Sequence, residues 1–147
     1  MGEMLGNFDF LAASHSQLAK LGALAERYFA EDAPTALVKL RTFAEQIANE
    51  IAARNALLPD GRSPGFEPLL RSLQQRSILP RDVAELFHFL RKAGNDAAHE
   101  HRGSAGEALT ALKLARQVAI WFHRTYRAGS RWQKRLLQSR NGTILRA

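Results

Sequence analysis

Residues 90–101, LRKAGNDAAHEH, hold the densest group of side chains able to do chemistry. Arg91 and Lys92 could bind an oxyanion, Asn95 could cap a turn or bridge, and His99 and His101 flank Glu100. Two histidines beside a carboxylate raise the question of a metal, but helical neighbours fall three or four residues apart. A pair spaced by two therefore points in different directions, and HExxH is missing, so no metal or other cofactor is expected. Asn95 and His99 stand at i,i+4 and would share a face. A second polar group lies upstream in LVKLRTFAEQI, where Arg41 and Glu45 are also i,i+4, as are Glu50 and Arg54. Arg41 borders an apolar stripe, and a partly buried guanidinium needs an acceptor, so it would reach a neighbouring helix. The reading from spacing is a structural polar cluster of Arg41, Glu45, Asn95 and His99.

Other chemistries find no support. There is no GxxxxGK[ST] phosphate loop, no GxGxxG after a strand and no GxSxG elbow. The absence of cysteine removes disulfides and thiolate zinc sites and points to a reducing, cytoplasmic setting. The N-terminus lacks the basic and apolar regions of a secretion signal. No apolar run approaches the ~18 residues of a membrane span.

The elements that must position these side chains are helices. With 147 residues and 46% hydrophobic content, the chain fits one domain with a real core. Apolar residues recur at helical spacing in segments 15–31, 34–57, 66–77, 80–93 and 105–127, and no convincing strand is present. Ser14 and Asp32 read as N-caps, Pro34 as a first-turn proline, and Ser104 with Glu107 as a capping box. LPDGRSPG, 58–65, reads as a loop. The last segment has the widest apolar face and is expected to be the central helix. Gly94 follows a full apolar face and is the natural place to bend, end or approach another backbone, with Asn95 capping a restarted turn. Ala97 and Ala98 leave room for a neighbour. The fold class is all-α, an antiparallel bundle of about five helices.

Charge divides the chain. The net charge is +7, from 21 basic and 14 acidic residues. Residues 129–147 hold five of the basic ones, Arg131, Lys134, Arg135, Arg140 and Arg146, and no acid. The body, 1–128, is nearly neutral, which argues against a broad phosphate-binding face. The tail, 129–147, is a flexible basic segment or, through Trp132, Leu136 and Leu137, a short helix.

FLRKAGNDAAHE resembles the signature of the HEPN-like helical domains grouped as DUF4145. The body further resembles the N-terminal region of the R subunit of type I restriction enzymes. The resemblance is carried by NFDFL at 7–11, LAERYFAEDAPTALVKLRTFAEQIA at 24–48, LFHFLRKAGNDAAHE at 86–100 and ALTALKLARQVAIWFHRTY at 108–126. It implies a HEPN-like bundle serving as an accessory or interaction domain of a DNA restriction system, not catalytic alone, within a family of ATP-dependent site-specific deoxyribonucleases. Its partners would be other parts or subunits of a restriction complex, with DNA or RNA contact at Arg91, Lys92, Arg102, Arg131, Lys134 and Arg135. The alternative implied by the resemblance is a homodimeric ribonuclease using His99 with Arg91 or Lys92, and Asn95 beside them. HEPN ribonucleases separate Arg and His by four to six residues. Here seven lie between Arg91 and His99, while Lys92 has the six-residue spacing without a guanidinium.

Overall fold

Asp32 starts the helix around which the rest is arranged. Its carboxylate accepts from the Thr35 backbone N–H at 3.3 Å and from the Thr35 hydroxyl at 2.7 Å, with Pro34 in the first turn. The computed structural model describes residues 6–58 and 60–126. Within them the elements are a 3-10 turn, Asp9–Leu11, and five helices: α1 Ser16–Tyr28, α2 Ala33–Arg54, α3 Phe66–Gln75, α4 Arg81–Glu100 and α5 Ala105–Tyr126. No strand occurs among the described residues. The tail, with Arg131, Trp132, Lys134, Arg135, Leu136 and Leu137, lies outside them.

The central helix is α2, not α5. Alanine and larger apolar residues alternate along it, so Ala36, Leu37, Leu40, Phe43, Ala44, Ile47, Ala48, Ile51 and Ala52 are all buried. This wide stripe packs against each of the other four helices. On α5 the inward positions include Ala108, Ala111, Ala115 and Ala119, while Leu109 remains 40% exposed. Counting large apolar residues therefore overstated the buried face of α5. The 3-10 turn adds a lid to one side of the core. Phe8, 1% exposed, meets the Phe43 ring edge-on at 5.0 Å between centroids. Gly22 of α1 lies directly beneath Phe8, where a Cβ would stand 2.4 Å from the ring.

Helix ends follow the capping chemistry in part. Ser104 Oγ accepts from the Glu107 backbone N–H at 3.0 Å, as a capping box requires. Ser14 does not cap α1; His15 holds that position without a side-chain cap bond, and the Ser14 hydroxyl instead meets His15 Nδ1 at 2.9 Å. The far end of α5 is tied to α2. Arg54 donates from Nη1 to the Tyr126 carbonyl at 2.9 Å, its guanidinium lies 5.8 Å above the Tyr126 ring, and Asn55 reaches the Tyr126 hydroxyl at 3.3 Å.

The largest correction concerns α4. It does not end and restart at Gly94-Asn95 but runs as one helix to Glu100, ending on His101 in the left-handed conformation (φ 52°). Ala93, Gly94 and Ala97 are buried against α2, which crosses antiparallel: Arg41 lies on Gly94, and Leu37 lies against Gly103. One glycine costs a helix about 1 kcal/mol, less than burial of the apolar face on both sides of it returns. Gly94 serves close approach, not interruption.

Candidate functional site

The polar residues singled out by spacing fall into two groups. At the seam of α2, α3 and α4, the stem of Arg41 lies across Gly94, and its guanidinium carbon stands 5.9 Å from the centre of the Phe66 ring at the start of α3. Arg41 Nη1 is 3.5 Å from Glu45 Oε1, with both side chains about 30% exposed. Arg91 is half-buried one turn before Gly94 on α4, and its Nε is sealed from solvent without an acceptor. The Nε of Arg41 is in the same state.

Helix α3 adds residues that spacing alone had not gathered. Glu67 accepts from Arg71 Nη2 at 2.6 Å on both oxygens. That hydrogen bond is the main reason its carboxyl sits below the usual range, with the charges of Arg71, Arg91 and His88 acting the same way. His88 of α4 pairs through Nε2 with Gln74 Oε1 at 2.7 Å. Partial burial holds its imidazole below the ordinary value of 6.5, and the charges of Arg91 and Lys92 push the same way against the opposing pull of Glu67. The i,i+4 pair Glu67–Arg71 was visible in the sequence; its meeting with His88 and Arg91 depends on how α3 docks on α4.

The second group is dispersed. Asn95 is half-buried and His99 is exposed, and neither side chain forms a hydrogen bond among the described residues, although the continuous helix does place both on one face. Lys92 is exposed. Arg102 follows the end of α4 and pairs with Glu100 at 2.5 Å. Arg91 and His99 stand eight residues apart on one continuous helix, about 12 Å along its axis. The polar contacts of this region thus centre on Arg41, Glu45 and the α3–α4 side chains, while Asn95 and His99 stay outside them. No helix among the described residues is long and apolar enough to cross a membrane.

Comparison with known proteins agrees with the quoted blocks. The chain is 29% identical over 118 residues to the type I restriction enzyme EcoKI endonuclease subunit of Escherichia coli (strain K12). That stretch is 80% of this chain and 10% of the subunit, so the chain spans about a tenth of the relative's length. No solved structure matches. The family model described as a domain of unknown function, DUF4145, matches residues 24–139, most of the chain and four of its five helices in full, and the chain belongs to that family.

Proposed function

We propose that this chain is a non-catalytic interaction domain of a type I restriction system, working through contacts with other parts or subunits of the restriction complex. The observation that carries the reading is the asymmetry of the match: 80% of this chain corresponds to only 10% of an endonuclease subunit. A helical module of that proportion is suited to docking while reactions proceed elsewhere in the assembly. The non-catalytic reading is supported by the spacing of Arg91 and His99, about 12 Å apart along α4, with no hydrogen bond from His99 among the described residues. Arg102 and the tail residues Arg131, Lys134 and Arg135 would contribute nucleic-acid contact as a secondary, salt-sensitive interaction.

The test mixes the purified chain with the remaining subunits of a type I restriction enzyme from the same source and measures mass by light scattering after size exclusion. A stoichiometric complex, unchanged by His99→Ala, is the expected result. Failure to associate, together with RNA cleavage that His99→Ala abolishes, would replace this reading with a dimeric HEPN-type ribonuclease.

A further inference from the structure

Three buried side-chain polar atoms have no partner among the described residues: Arg41 Nε, Asn49 Oδ1 and Arg91 Nε. Two of the three belong to arginines of facing helices: Arg41 of α2, whose stem lies on Gly94, and Arg91 of α4, one turn before that glycine. Partly withdrawing a guanidinium from water costs free energy unless an acceptor arrives, and neither Nε has one. We propose that the seam between α2, the start of α3 and α4 is a phosphate-binding site, with Arg41 and Arg91 as the two arms of a clamp.

The arms are placed by packing. The Arg41 stem is held against Gly94, so its guanidinium is directed over the buried Phe66. Arg91 lies one turn before Gly94, near enough to Glu67 and His88 for its charge to act on both carboxyl and imidazole. Arg41 is thus placed on Phe66, and Arg91 within electrostatic reach of the next residue, Glu67. Held stems lose little further freedom when a ligand binds, and guanidinium forks match the geometry of phosphate oxygens.

Charge at the seam points the same way. Arg41 has Glu45 and Arg71 has Glu67 as ion-pair partners, whereas Arg91 and Lys92, whose charges both act on His88, have no ion pair among the described residues. Glu67 is fully engaged by Arg71 at 2.6 Å, whereas Glu45 stands a looser 3.5 Å from Arg41. That leaves Arg91 and Lys92, adjacent on α4, as two positive charges without an ionic partner among the described residues. A phosphate monoester near neutral pH carries about −1.5 to −2, which matches that surplus, while a single carboxylate would not. The Phe66 ring makes the floor of the site apolar, which strengthens any ion pair above it. Gly65 precedes α3 without a side-chain cap, so the first-turn N–H of Phe66 has no side-chain acceptor. Phosphate binding at this seam is independent of any role in a restriction complex.

The full chain, labelled with nitrogen-15, is titrated with inorganic phosphate at constant ionic strength, with chloride as the control. Saturable shifts of the Phe66, Glu67, Gly94 and Asn95 amides are expected, with affinity falling about tenfold in Arg91→Gln and less in Arg91→Lys, which keeps charge but loses the fork. Absence of a saturable shift, or equal affinity in Arg91→Gln, overturns the proposal, as does tighter binding of acetate than of phosphate. If Arg91→Gln does not fold, Arg91→Lys and Arg41→Lys carry the comparison. Short single-stranded DNA then separates the sources. Preference for a 5′-phosphorylated over a 5′-hydroxyl oligomer assigns a terminal phosphate; equal binding of the two, lost in Arg91→Gln, assigns an internal one.

Discussion

Adding one methyl group at Gly94 probes the α2–α4 crossing directly. A Cβ built there would stand 2.3 Å from Arg41 Cβ, 2.9 Å from its Cδ and 3.0 Å from its Cγ. Carbon atoms rest about 3.5–4.0 Å apart, so the contact must open by at least about 1.2 Å. Arg41 Cβ is fixed to the backbone of α2 and no rotamer change moves it, so relief requires displacing the helix that packs against all the others. Replacing glycine by alanine in a helix interior would by itself stabilise by about 1 kcal/mol. Overpacking costs about 1–3 kcal/mol, and a backbone-anchored clash falls at the upper part of that range. Gly94→Ala is therefore expected to destabilise by about 1–2 kcal/mol net, lowering Tm by about 3–8 °C. Gly106, in the first turn of α5, is the matched control. Its nearest neighbour to an added Cβ is Ser104 Oγ at 3.8 Å, so Gly106→Ala should be neutral or stabilising by up to about 1 kcal/mol. Urea and thermal denaturation of the three proteins measure both signs. A Gly94→Ala protein as stable as the parent would refute the close-packed crossing.

Asp32→Ala should cost about 0.5–2 kcal/mol by removing the cap of α2, read as a lower urea midpoint at unchanged slope. Phe8→Ala should cost about 3–5 kcal/mol, because Phe8 is core packed on Phe43 and Gly22 and not a loose N-terminal residue. His88 binds its proton less readily in the folded than in the unfolded chain. Unfolding therefore takes up protons as pH falls through the window below 6.5, and stability should decline there as pH decreases. The decline should flatten in His88→Gln, and Arg91→Gln should raise the His88 pKa in an NMR titration.

The helices were legible because period and caps agreed: Asp32 with Pro34, and Ser104 with Glu107, sit where helices begin. The 3-10 turn was not, since three residues carry no period; Phe8 and Leu11 become core only once α1 and α2 are in place. Of the three roles open to Gly94, propensity alone could not choose; tertiary packing selects close approach, and Asn95 caps no restarted turn. Arg41 was correctly expected to reach toward another helix, yet it found the face of Phe66 instead of an acceptor. His88, Gln74 and Arg91 converge through the docking of α3, which depends on surfaces far apart in the chain. His99 drew attention through its neighbours, but an i,i+4 relation does not make a bond when one member faces water.

The clasp of Arg54 and Asn55 on Tyr126 joins residues 72 positions apart. Mechanically it ties the last turn of α5 to the C-terminal end of α2, the helix that packs against all the others. A pull applied after residue 126 would load the hydrogen bond to Arg54, and α5 could not peel away without dragging on α2. Residue 126 is thus geared to the innermost helix, so a rotation there would be transmitted to the core of the domain and not absorbed at its edge.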